Sequence, residues 1–239
     1  ALGYGWEGRL FGIVIAFCIF NLVSLIVLFK LDMISLEFNK KYIKRILDFG
    51  IPLLPHTIAG VLLASSSKFL LSSMISNEAL GIYTVAFQIA SIILLIMTSI
   101  NQAWAPNLYE TLNSNPSKKI KLGIVKKTYK TMLLMCGATL IFILFIPYIF
   151  MLFINESYHS GILVSRIISI GFLMNGLYFL VTNYILFSKR TKILSYITTI
   201  ISIAGTIINY GLILQYGIIG AAYGLIITFG LLFIIVFYY

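Results

Sequence analysis

The chain of 239 residues predicts an all-α, polytopic membrane protein with about seven transmembrane helices. Three observations lead there. Hydrophobic residues make up 60% of the chain and charged residues only 10%, with a mean hydropathy of +1.03; soluble domains carry roughly 25% charged residues. Uncharged runs long enough to span a bilayer, about 20 residues, recur along the whole length. Lysine and arginine gather in alternate connections between those runs, as the positive-inside rule requires of a multi-pass protein.

The runs are 10–29, 51–75, 79–104, 131–154, 162–187, 193–214 and 217–238. The chain opens on alanine and "LGYGWEGRL", with neither an initiator methionine nor a basic signal-peptide start, so it reads as a piece of something longer. Lys30, Lys40, Lys41, Lys44 and Arg45 follow the first run. Lys118, Lys119, Lys121, Lys126, Lys127 and Lys130 follow the third, and Lys189, Arg190 and Lys192 the fifth. The alternate connections, "SNEAL", "NESYHS" and "QYGIIG", hold no basic residue. Fourteen of the 17 basic residues thus fall on one side, predicted to be cytoplasmic together with the C-terminus. The final uncharged stretch, Ile193 to Tyr239, is too long for one span, and Gly217 and Gly220 loosen it where a turn is needed.

The net charge of +10 therefore sets topology and meets anionic membrane lipid; nucleic acid is not an expected partner. Cys18 and Cys136 both lie in apolar runs, far apart, and read as small membrane-embedded side chains rather than as a disulfide or metal pair. No P-loop is present, no carboxylate lies within a run, and the two histidines are remote from each other. No cofactor or metal is expected.

"YGWEGRLFGIVIAF" (4–17) recurs as "YGIIGAAYGLIITF" (216–229). Tyr4/Tyr216, Gly5/Gly217, Gly8/Gly220, Gly12/Gly224, Ile15/Ile227 and Phe17/Phe229 are identical. Both copies begin a helix running in the same direction, six helices apart, as in parallel repeats of two-lobed transporters. The domain reading follows: 1–30 is the last helix of an N-terminal lobe, and 31–239 is a six-helix C-terminal lobe.

Lys68 lies inside the second run, in "ASSSKFLLSS", and between Phe49 and Asn77 no other residue carries a full charge. At 100° per residue, Ser65, Lys68, Ser72 and Ser76 share an arc of about 80°, with Thr57 and Ala64 near its edge. Two readings stay open. The lysine snorkels to the near headgroups, or it faces a water-lined cavity with the serines, where it would attract an anion. Arg166, one turn into its helix, carries the same pair of readings. Pro52 and Pro55, with Asp48 and His56, mark a mouth that could bend. Trp104 and Pro106 end the third run, with Trp104 and Tyr109 as interfacial anchors. Asn175, Tyr178, Asn183 and Asn209 are intramembrane polar groups that either bond between helices or line a route.

Residues 47–112 resemble the polysaccharide and O-antigen flippases of the MOP exporter superfamily, relatives of the multidrug and toxin extrusion transporters and of the lipid II flippase. The resemblance rests on "FGIPLLPH", the serine-rich segment leading to a basic residue, "LGIYTVAFQIA" and "AWAPNLYE", with "GWEGRLFG" and "GIIGAAYG" at two further helix starts. In order, these match the family's sixth to twelfth helices. Where the family often has Asp-Arg, this chain has Ser67-Lys68: the positive charge stays and the acidic neighbour is gone.

The resemblance implies a transporter of the bacterial cytoplasmic membrane rather than an enzyme. It would carry an undecaprenyl-diphosphate-linked oligosaccharide, an O-antigen (lipopolysaccharide) or capsule repeat unit, between leaflets by alternating access, beside a polysaccharide polymerase as a further partner. Lys68, Ser65, Ser72, Arg166, Asn175 and Tyr178 are the expected substrate-binding residues, and Pro52 and Pro55 the hinge. The rivals are a drug or cation antiporter of the same superfamily, which would need a cavity acid, and a non-transporting scaffold or polymerase.

Overall fold

The computed structural model describes residues 5–33, 39–51, 54–114 and 116–239, and they form helices without a strand. In order these are α1 (Gly5–Lys30), α2 (Lys40–Gly50), α3 (Leu54–Met74), α4 (Asn77–Asn113), α5 (Lys118–Phe153), a 3-10 turn at Glu156–Tyr158, α6 (Gly161–Phe187) and α7 (Thr191–Tyr238). Among the described residues, α1, α4, α5, α6 and α7 are long and apolar enough to cross a membrane. Pro52 and the side chains of His56 and Ala64 lie outside the described residues. The chain divides into two compact units, Ala1–Leu47 and Asp48–Tyr239.

In the first unit, α1 is apolar all round and exposed along its length, from Leu10 and Phe11 to Phe29. A helix of that kind is stable where lipid is its solvent. The second helix was not expected from the sequence, which reads 31–50 as a connection. Its segment "KKYIKRILDFG" places Ile43, Ile46, Leu47 and Gly50 on one face and the lysines and Arg45 on the others. Eleven residues are too few to span, but this pattern suits a helix lying in the headgroup plane. Asn39 caps it, accepting from the Lys41 N–H at 3.0 Å.

The second unit is arranged around α6, the most buried of its helices. Glycines make the approach possible. A Cβ on Gly161 would meet Ile82 of α4, one on Gly171 would meet Leu225 of α7, and one on Gly176 would reach Met97 and Met135. Small residues at such contacts let helix backbones close up in a medium that gives no hydrophobic drive between helices. Around α6 lies the core of Tyr83, Ala86, Ile93, Met97, Ile168 and Leu180.

Helix α7 has 48 residues, about 72 Å, more than twice the bilayer core. It turns back at Gly217, whose φ of 56° and ψ of −129° suit glycine and strain other residues. The two arms then pack along each other: Gly205 meets Thr228, Asn209 meets Gly224, and Leu212 meets Gly220. The pairs step outwards evenly from the turn. Gly220, expected to loosen the chain, instead permits this contact, since a Cβ there would fall on the Leu212 carbonyl. Counting the two arms separately and adding α3, the seven span-length segments are present.

Two helices run farther than expected. Pro106 does not end α4, which continues to Asn113. An interior proline costs about 3 kcal/mol, and tertiary contact offsets it here: Leu108 is buried, and Tyr109 bonds to α6. Helix α5 begins at Lys118 rather than 131, so its first turns carry the basic cluster as helix. The turns α4–α5 and α6–α7 bring these basic residues to one end of the unit, and Arg190 Nη1 donates to the Tyr239 hydroxyl at 3.1 Å, tying the end of α7 to the same end.

Gly217→Ala should lower the melting temperature in detergent by several degrees, since no side chain crowds the site and the loss comes from backbone alone. Gly230→Ala, equally uncrowded but within regular helix, should leave it unchanged or raise it, since alanine stabilises a helix interior by up to about 1 kcal/mol over glycine.

Candidate functional site

The site grows from the turn joining α3 and α4. Ser72 donates to Asn77 Oδ1 at 3.2 Å, and Ser76 accepts from the Ala79 N–H at 3.1 Å as the N-cap of α4. Ser76 thus lies beyond α3, in the turn itself. These two serines of the predicted stripe hold the hairpin, which fixes the faces that α3 and α4 present to each other.

Lys68 is half-buried on α3, with Nζ 4.7 Å from the ring centroid of Phe87 on α4. This contact fixes which neighbouring helix the lysine meets. Lys68 precedes Met74 by six residues, about 9 Å of helix, whereas Phe87 follows Asn77 by ten, about 15 Å. The Phe87 backbone therefore lies farther from the turn than the Lys68 backbone does. A Cα–Cβ bond also tilts toward its helix N-terminus, which for α3 is the end away from the turn. The same tilt carries the Phe87 ring of α4 back toward the turn, so ammonium and ring meet across the hairpin.

The ring is itself held in place. Phe87 meets Phe172 of α6 edge to face at 5.2 Å, and Tyr83 at 6.0 Å. On the preceding residue of α3 the contact is polar: Ser67 is buried and accepts from Asn209 Nδ2 of α7 at 2.9 Å, with Tyr83 beside it. The Ser67-Lys68 pair thus divides its work. The serine joins α3 to α7, and the lysine turns toward α4.

The other expected site residues are placed apart from this cluster. Ser65 is exposed and, with Pro55, Phe69, Ser202 and Thr206, lines a groove of about 760 Å³ between α3 and the first arm of α7. Arg166 is half-buried, and its Nε is enclosed without a hydrogen-bond partner. Asn175 and Tyr178 are both buried, with Tyr178 against Phe179.

A second polar cluster was only partly legible in the sequence. Asn183 Nδ2 donates to Asn101 Oδ1 at 2.7 Å, and the Tyr109 hydroxyl donates to Asn183 Oδ1 at 3.2 Å. Tyr109 also stacks on Phe187, and Trp104 packs against the core with its Nε1 enclosed. Both are half-buried, with Tyr109 bonded to α6 and Trp104 packed on the core. The signal available was the spacing of Asn101 and Tyr109, eight residues and about two turns apart on one face.

Buried hydroxyls and amides on helices long and apolar enough to cross a membrane define a multi-pass membrane protein with a polar interior. Residues 2–112, from α1 through most of α4, match the family model described as polysaccharide biosynthesis protein. That is consistent with the flippase family resemblance carried by the motifs of the same stretch. No curated protein and no solved structure matches the chain.

A double-mutant cycle over Lys68→Met and Phe87→Leu, followed by unfolding in detergent, should return a coupling of about 0.5–2 kcal/mol. A coupling near zero would remove the contact.

Proposed function

We propose that this chain is the C-terminal part of a flippase that moves an undecaprenyl-diphosphate-linked oligosaccharide across the bacterial cytoplasmic membrane by alternating access. The observation that carries the reading is the ammonium of Lys68, half-buried on a span-length helix and held 4.7 Å from the Phe87 ring centroid. A cation held below the headgroups, in surroundings of low dielectric, attracts an anion more strongly than one in bulk water. Its ring contact with Phe87 occupies one side, and a diphosphate approaching the other would add to that contact without displacing it.

The family match supports polysaccharide biosynthesis as the setting, and the multi-pass fold supports transport over catalysis. Residues 1–30 belong to a first lobe and 31–239 to a second, with Lys68 on the side of the second lobe that meets the cargo. Ser65 adds a hydroxyl to that route, and Arg166 a second cation. Asn175 and Tyr178 keep α6 rigid behind it, and Pro52 and Pro55 let the start of α3 bend during transport. The basic end faces the cytoplasm, and the polymerase receives the product on the opposite side.

The described carboxylates of 48–239 work against a cation extruder. Asp48, Glu78, Glu110 and Glu156 are all exposed and lie at helix ends or, for Glu156, in the short turn before α6. None is buried where it could exchange a proton for a drug cation.

In cells whose surface glycan depends on this protein, Lys68→Ala should lower glycan display at least tenfold, taking a hydrogen-bonded charge at about 1.5–3 kcal/mol. Lys68→Arg should retain most of it. Full display by the alanine variant at normal protein level would end the proposal.

A further inference from the structure

A cavity of about 350 Å³ opens at the basic end of the second unit, between α5, α6 and the second arm of α7. It is separate from the Lys68 site in position and in composition. Its mouth carries Arg190, Ser188 and Tyr239, at or just beyond the helix ends. Seven residues before Ser188 on α6, about 10 Å deeper, the lining is apolar, with Val181, Met132 and Val236. We infer that this cavity holds an anionic phospholipid of the surrounding membrane, with Arg190 on the phosphate and the upper part of one acyl chain on the apolar wall.

Four observations carry the inference. The first is charge: no carboxylate lines the cavity, and Lys126, Lys127, Lys130, Lys189 and Lys192 stand on the elements around it. Basic sites of this kind at the edge of a helix bundle suit acidic headgroups.

The second is the donor set. Arg190 gives one N–H to Tyr239, and a guanidinium has five in a planar fork that matches phosphate oxygens in pairs. The Tyr129 hydroxyl adds a donor at the same mouth, whereas that of Ser188 donates to the Ile185 carbonyl at 2.9 Å.

The third is how the turn is built. Lys189 sits in the left-handed region at φ 57°. Its N–H bonds the Leu186 carbonyl, and that of Arg190 bonds the Ile185 carbonyl. This is a Schellman closure of α6, in which glycine is the usual residue. Lys189 does not line the cavity, but the strained closure it makes sets the backbone of Ser188 and Arg190, which do.

The fourth is what limits the occupant. The volume corresponds to roughly a dozen water-sized groups, enough for a phosphate headgroup and a few methylenes but not for an oligosaccharide. The neighbouring face of α5, with Leu133, Leu140 and Leu144 exposed, is apolar in the way a lipid-facing surface is, so the lipid can enter sideways from the bilayer. The inference does not depend on what Lys68 binds.

The test is native mass spectrometry of the full chain extracted from nanodiscs containing equal amounts of phosphatidylcholine and phosphatidylglycerol. The wild type should keep phosphatidylglycerol in preference to phosphatidylcholine. Arg190→Ala should lower that preference about fivefold, the effect of one basic residue near a lipid phosphate. Val181→Trp should lower it as much by filling the cavity with the charge intact. Lys119→Ala removes an exposed charge of the same end that does not line the cavity, and should leave the preference unchanged. Melting curves and elution profiles establish that each variant is folded, and Arg190→Ala decides alone if the tryptophan variant is not. Equal retention of the two lipids by the wild type would overturn the inference. So would unchanged preference in Arg190→Ala, or an equal loss in Lys119→Ala, which would mean diffuse charge without a site.

Discussion

The second unit depends on one helix, α6, being largely enclosed by its neighbours. Helix α6 can be enclosed because Gly161, Gly171 and Gly176 admit its neighbours to backbone distance. Some of its polar groups are then used between helices, because lipid offers them no partner. Asn183 bonds α4, and Tyr184 shares a hydrogen bond with Thr128 of α5 at 2.7 Å. What remains for α4, α5 and α7 is to place one face on α6 and leave the other to the bilayer, as their exposed leucines and isoleucines show.

The position of Lys68 follows from that arrangement through a short chain of contacts. Phe172 of α6 supports Phe87 of α4, and Phe87 receives the ammonium of Lys68. The α3–α4 turn, closed by Ser72, Ser76 and Asn77, fixes the register in which they meet. A charge within a membrane span costs several kcal/mol unless something compensates it. A ring face supplies part of that compensation, and an anion supplies more. The lysine is thus held in a place where its own solvation is incomplete, which is the physical basis for reading it as a binding group.

Much of this was legible in the sequence because membrane proteins obey few rules and obey them strictly. Long uncharged runs and alternating lysines place the spans and the basic end, and Gly217 marks the turn in a last run too long for one span. What was not legible depended on partners distant in sequence. The extension of α4 past Pro106 needs Leu108 and Tyr109 to be held in the bundle. The amphipathic α2 is too short and too charged for any span-length window to register. Periodicity placed Ser72 and Ser76 on the lysine's face, but they close the turn instead, since a hydroxyl near a helix end has backbone and side-chain partners that periodicity does not count. Ser67, one position off that face, makes the tertiary bond to Asn209, 142 positions along the chain.

The account rests on the ammonium of Lys68 lying where water and an anion can reach it from within the bundle. The most direct measurement is chemical access to that point. Lys68→Cys would be made in a chain whose Cys18 and Cys136 are replaced by alanine, reconstituted in membrane vesicles, and treated with a membrane-impermeant, negatively charged thiol reagent. The account predicts that the introduced thiol is modified, and that undecaprenyl diphosphate added beforehand slows the modification. A thiol that stays unmodified, or one modified at the same rate with the diphosphate present, would contradict it.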